Sequence, residues 1–370
     1  MEYIQLDFET FAEVNSNIGI GISTEYNAIF RADLNTGNCE YLGFIPNEKM
    51  SQNRLYTKAV VCSDKIYLVP SSANEIAVID TSSYEVEKLS IASPVLSDNT
   101  YYKNGAKFNE AIVYKNSVYM IGCTYPGILK ISQVNGEYDI KYFDSWAQGQ
   151  SFIFRRSPAK YGNMLYIPDT CDNKVLEFNM DNGDGKFWHI GDNNHGCWSG
   201  CIVGDHLWLA PKNPGPVIRW NLLSHEVQEY DAFPKGFCGR DFAFSKIFCR
   251  GKNLYLIPVR ANMGIIVDTE SGVLSQWETL NVKDDETLGF MFEDTHKAYL
   301  RLRSNARKSY FYLDYTSMKI RPFEFLLTQG KEMFFSDQIQ QSNAMKENSL
   351  FQLKDFLEHI AMREQRRQNK

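Results

Sequence analysis

His195 stands two residues before Cys197 and three before Trp198, a setting that suits acid–base chemistry. Imidazole titrates near neutrality, so it can give or take a proton at physiological pH. Asp241 and Glu110 are the carboxylates that would orient it if the fold brings them close. The plainer reading of His195 is a hydrogen-bonded loop residue. His206 falls in a tight turn and His359 in a helical tail, so neither suits catalysis. The second chemical feature is a set of bases, Arg155, Arg156, Lys212, Arg240, Arg260 and Arg303, with Asn109, Trp198 and Asp241 among them. The planar donor fork of arginine matches carboxylate and phosphate geometry. Such a set suits an acidic protein or peptide segment, or an anionic saccharide. The alternative is a solvated rim neutralised locally by Glu110, Asp169 and Asp172. Trp198 beside arginine suits stacking on a ligand and equally suits packing between sheets.

Other chemistry finds little support. The eight cysteines contain no CxxC, and Cys197 and Cys201 have no second pair nearby, so no metal site is expected. DNGDG at 181–185 lacks the alternating ligands and closing Glu of a calcium loop and reads as a turn. No Gly-rich phosphate loop, GxSxG or HExxH is present, and no cofactor is expected. The net charge of −6 argues against nucleic acid. MEYIQLDFET lacks the basic start and apolar core of a secretory signal, and no run approaches the ~18 apolar residues of a membrane span. With isolated thiols, this reads as a cytoplasmic chain with no membrane contact.

The elements that position these residues repeat. NIGIGIS, KIYLVP, SVYMIG, MLYIPD, HLWLAP, NLYLIP and KAYLRL are anchored at Ile20, Tyr67, Tyr119, Tyr166, Trp208, Tyr255 and Tyr299, in steps of 47, 52, 47, 42, 47 and 44. A second marker, Asp33, Asp80, Ser132, Asn179, Asn221, Asp268 and Asp314, steps by 47, 52, 47, 42, 47 and 46. Two markers that keep the same long and short intervals define a repeat of roughly 46 residues. Each unit divides into four strands, A to D, as in YTKAVVC, KIYLVP, EIAVIDT and EVEKLSI. Seven such units predict an all-β, seven-bladed β-propeller of four-stranded antiparallel blades.

The connections sort the two faces. A-to-B and C-to-D turns are tight and rich in Gly, Asn and Asp. D-to-A and B-to-C connections are longer, including 91–105 and 210–216, and share the other face, where binding residues are expected. Aligning strand A on the anchors puts Thr57, Asn109, Arg156, Trp198, Ser245 and Gly289 at one position near the channel. The propeller is expected over 1–330, with residues 1–8 adding a strand to the last blade. Residues 331–370 are expected as a linker and a C-terminal amphipathic helix from Met345, with Leu350, Leu353, Leu357 and Ile360 at helical spacing. That helix would pack on the propeller flank, dock a partner or make a homo-oligomer.

The strand-turn-strand unit with Tyr or Trp in strand B, as in DKIYLVP, DHLWLAP and KNLYLIP, resembles kelch and galactose-oxidase-type propellers in a divergent bacterial form. Where kelch repeats carry paired glycines, this chain has Val69-Pro70, Ile121-Gly122, Ala210-Pro211 and Ile257-Pro258. DHLWLAP…RWNLLSHEVQEYDAFP and NKVLEFNM are also similar to streptogramin-lyase-type seven-bladed propellers, a group that includes metal-dependent lyases. Their catalytic histidine-and-acid pattern has no residue-by-residue match here, so the resemblance implies the fold and no activity. The expected role is a non-catalytic binding or scaffold protein. The alternatives are a lyase or isomerase acting through His195 with Asp241 or Glu110, and self-assembly through the tail helix.

Overall fold

The computed structural model describes residues 4–48, 54–73, 75–89, 106–123, 125–134, 136–143, 157–170, 173–191, 195–283, 286–304 and 308–344. Seven four-stranded antiparallel units follow in chain order. Their A strands are Phe8–Asn15, Tyr56–Cys62, Phe108–Tyr114, Ala159–Tyr161, Cys197–Val203, Phe244–Arg250 and Thr287–Glu293. The apolar core is divided the same way. Seven hydrophobic clusters each join one blade to the next, including one between blades 7 and 1. The sequence anchors lie in these clusters. Tyr67 packs toward blade 3, Tyr166 lies edge-on to Trp220 of blade 5, and Trp208, fully buried, packs with blade 6. One residue type recurs at one offset because each blade fills the same gap against its neighbour.

The second marker ends strand C. Asp33, Asp80, Asn221, Asp268 and Asp314 each accept two backbone N–H groups through Oδ1, from the residues two and three positions later, at 2.8 to 3.1 Å. Asn179 accepts the first of these from Asp181 at 2.9 Å, which makes 181–185 a turn, as expected. Four residues after each marker the backbone is left-handed, at Gly37, Tyr84, Gly136, Gly183, His225, Gly272 and Met318. An Asx side chain satisfies donors that the tight turn leaves unpaired.

Closure differs from expectation. The described part of residues 1–8 does not extend the last blade. Phe325–Gln329 runs parallel beside strand D of blade 1 (Asn38–Gly43), and Ile4–Leu6 pairs antiparallel with it. Phe325 and Leu327 are buried against blade 1, which draws both ends of the propeller to that sheet. The Phe8 and Phe325 rings lie 5.2 Å apart, and Phe11 stacks on Phe292 of blade 7 at 4.0 Å. Glycines make room for these rings: a Cβ on Gly19 would lie 2.1 Å from Phe11, and one on Gly21 would lie 2.7 Å from Phe8. Beside the rings, buried Arg301 of blade 7 donates to both oxygens of Asp7 at 2.7 Å and to Glu9 at 2.6 Å.

A helix runs from Lys331 to Ala344, where a linker was expected. Phe334 is buried against Tyr26, Phe30 and Tyr41, and the Tyr41 hydroxyl donates to Asp337 at 2.9 Å. The helix therefore docks on blade 1. The Leu350–Ile360 pattern lies outside the described residues.

Two predictions follow from these contacts. Asp7→Ala uncovers a buried guanidinium and should cost about 3–5 kcal/mol in urea unfolding, whereas Asp7→Leu with Arg301→Met should recover most of that loss. Equal losses in both proteins would show that the pair does not act as a clasp. Hydrogen bonds to the turn hold the Asp80 and Asp268 carboxyls below the ordinary 3.8, and backbone N–H groups do the same for Asp33 and Asp314. Depressed folded-state values mean that this stability is complete above about pH 4 and fades as acid protonates the folded carboxylates. Changing all four to Asn keeps the acceptors, so the variant should lose less stability than wild type between about pH 4 and pH 2. Parallel acid curves would refute the assignment.

Candidate functional site

Strand A enters the channel through a repeated irregularity. In blades 1, 2, 3, 5 and 6 the A–B register shifts by one residue near the start of the strand, between Phe8/Thr10, Tyr56/Lys58, Phe108/Glu110, Cys197/Ser199 and Phe244/Lys246. The bulged residues are Glu9, Thr57, Asn109, Trp198 and Ser245. Four of these are the residues that the anchor spacing aligned. Glu9 escaped that alignment because blade 1 carries a second shift, between Glu13 and Asn15. A bulge re-aims side chains and often borders a site.

One position further along lie Lys58, Glu110 and Lys246. Lys58 pairs with Glu110 at 3.2 Å, and Lys246 pairs with Glu293 of blade 7. Burial pushes the Lys246 ammonium down. Burial pushes Glu293 up, but Lys246 and the Tyr315 hydroxyl outweigh it, and the carboxyl stays below its usual range. Lys246 also feels the charges of Lys58 and Glu110, so the two pairs form one belt of alternating charge in the channel. Glu110 is thus committed to a lysine. Asn109 is buried, 4% exposed, so it does not present itself to solvent at the mouth.

Above the belt, the structure gathers several of the predicted bases around a residue that the sequence reading missed. Phe242 lies in the D-to-A connection between blades 5 and 6, with φ of 61°. A bulky side chain in the left-handed region is strained and persists only where its surroundings hold it. Ala243 N–H donates to the Lys212 carbonyl at 3.1 Å, Arg240 N–H to the Arg260 carbonyl at 3.3 Å, and Asn262 N–H to the Cys238 carbonyl at 3.0 Å. These bonds tie the connection to the B-to-C loops of both blades. Trp198 meets the Phe242 ring edge-on at 5.0 Å. The Lys212 ammonium lies 5.2 Å and the Arg260 guanidinium 5.8 Å from the ring centroid, within cation–π range. Lys212 is half-buried, and Arg240, Asp241 and Arg260 are exposed. Among the described residues, none of Lys212, Arg240 and Arg260 has a carboxylate at ion-pair distance. No local sequence pattern marks Phe242. The nearest hint was its neighbours Arg240 and Asp241.

The other predicted residues fall elsewhere. His195 donates its backbone N–H to Asn173 at 3.2 Å, and its ring packs on Gly215, where a Cβ would lie 2.5 Å from it. Among the described residues its side chain meets neither Asp241 nor Glu110. Arg303 belongs to the Arg301 cluster, 3.8 Å from Asp7 and 4.0 Å from Glu9. Arg155 and Arg156 lie outside the described residues. The described cysteines are free thiols, with burial pushing Cys201 up to about 12, and no three His, Cys, Asp or Glu side chains among the described residues converge as metal ligands. A pocket of about 110 Å³ between blades 3 and 4, lined by Tyr119, Lys130, Asp139, Lys141 and Asp181, includes the C-to-D turn of blade 4 and none of the predicted site residues.

No protein-family model matches the chain, and no curated protein sequence matches it. Solved structures do. Virginiamycin B lyase from Staphylococcus aureus is 14% identical with a TM-score of 0.57, over 83% of this chain and 96% of that one. BamB from Moraxella catarrhalis is 12% identical with a TM-score of 0.52, over 79% and 80%. A chain of a Mitotic Checkpoint Complex is 10% identical with a TM-score of 0.57, over 87% and 91%. The likeness is to the fold. The streptogramin-lyase resemblance read from the strands has a structural counterpart among these folds.

Proposed function

We propose that this chain is a non-catalytic binding propeller that takes an acidic protein or peptide segment at the mouth between blades 5 and 6, as an accessory or scaffold in the cytoplasm. The observation that carries the reading is the strained Phe242, with Lys212 and Arg260 over its ring and, among the described residues, no carboxylate at ion-pair distance from either. Cations held in advance by an aromatic face and by knotted loops lose little freedom when a carboxylate arrives, which favours binding. The same cations lie over the ring on which a sugar would stack, so a peptide suits the site better than an anionic saccharide. The lyase or isomerase alternative needs a carboxylate on His195, and the described contacts supply none. One similar fold belongs to a protein complex by its own description, in keeping with a binding role.

Fluorescence anisotropy with a labelled octaglutamate peptide tests the reading. Lys212→Ala with Arg260→Ala should weaken binding by about ten-fold or more, and wild-type affinity should fall as salt rises. Phe242→Gly relieves the backbone strain, so it should keep the fold while also losing affinity. Equal affinity of wild type and the double variant would end the proposal.

A further inference from the structure

We propose that the junction of blades 7 and 1 holds a second anion site, separate from the Phe242 platform, that takes one carboxylate or phosphate group against Arg301 and Arg303. The guanidinium of Arg301 is 5% exposed and has five N–H donors. Nη1 serves both oxygens of Asp7, and Nη2 serves Glu9. Nε–H of Arg301 has no acceptor although it is closed off from solvent, and Nε–H of Arg303 is in the same state. A buried donor left unpaired is costly, so each is an unmet demand for an oxygen. Nε–H and Nη2–H lie on one edge of the planar group, the edge that takes two oxygens of a single oxyanion.

Charge and space agree with this reading. The described ion pairs of the cluster join three guanidinium groups, Arg54, Arg301 and Arg303, to two carboxylates, Asp7 and Glu9. Burial and then the charge of Arg301 hold Arg303 below its usual range, whereas Asp7 and Glu9 outweigh burial at Arg301 and raise it. In blade 7 Gly289 pairs across the strands with Arg301, the slot that Lys58, Glu110 and Lys246 hold in blades 2, 3 and 6. A Cβ there would find only the Arg301 carbonyl at 3.7 Å and Arg301 Nη2 at 4.0 Å within contact range. The missing side chain opens a notch onto the guanidinium, and Arg303, its side chain 40% exposed, stands beside it. An anion in the notch would meet the donors that lack an acceptor.

The test is calorimetric titration of the full chain with inorganic phosphate and with succinate at fixed ionic strength. Wild type should bind one equivalent of at least one of the two. Gly289→Val, which fills the notch and leaves every charge in place, and Arg303→Met should each weaken binding by about ten-fold or more. Gly289→Ala, a smaller plug at ordinary contact distance, should fall between, and circular dichroism with urea midpoints confirms that each variant is folded. Lys212→Ala with Arg260→Ala should leave phosphate and succinate binding unchanged, which keeps this site distinct from the peptide platform. No binding to wild type, undiminished binding in a folded Gly289→Val protein, or loss confined to the Lys212/Arg260 variant would overturn the proposal.

Discussion

A four-stranded sheet presents two apolar faces and can bury neither by itself. Every other feature of this chain answers that constraint. Seven blades stack so that each covers the next, and the core becomes seven separate clusters rather than one. Such a ring is only as secure as its last joint, because the seventh gap must be filled by residues from opposite ends of the chain. Here that joint holds stacked rings and a buried ion pair. Phe11 stacks on Phe292, Phe325 is inserted beside Phe8, and Arg301 binds Asp7 across 294 residues of sequence. The helix Lys331–Ala344 then covers blade 1 through Phe334.

The ring also divides its two faces by how freely they can vary. Tight turns on the opposite face repeat one solution, an Asx cap followed by a left-handed residue, and have little freedom left for variation. The long connections are free to differ. The one between blades 5 and 6 uses that freedom to hold Phe242 in a conformation that the residue disfavours, locked by bonds to the Lys212, Arg260 and Cys238 carbonyls or their neighbours. The paired charges of Lys58, Glu110, Lys246 and Glu293 occupy the channel, whereas among the described residues Lys212, Arg240 and Arg260 have no ion pair.

The legibility of the chain follows from where its constraints are local. Tyr67, Tyr166 and Trp208 were readable as anchors because each fills an equivalent gap. Asp33, Asp80 and Asp268 were readable because each caps an equivalent turn. Thr57, Asn109, Trp198 and Ser245 shared a sequence position because each occupies the same bulge. Their chemistry was not shared: Asn109 is buried, while Trp198 meets Phe242. Glu9 was hidden by one extra residue in its strand, and Lys246 by standing one place beyond the aligned position. The N-terminal strand was assigned to the wrong blade because its partner, Phe325–Gln329, belongs to no repeat.

By itself the sequence determined the number of blades, their strand order and the face that carries the varied loops. These rest on burial and turn chemistry that recur every 46 residues or so, and recurrence is visible without coordinates. The tertiary structure alone decided which of the chemically able residues meet. It packed the His195 ring on Gly215, gave Glu110 to Lys58, gave Arg303 to the closing clasp, and brought Lys212 and Arg260 to the ring of Phe242. Those meetings depend on backbone conformations and on contacts between distant segments, and neither leaves a periodic trace in the chain.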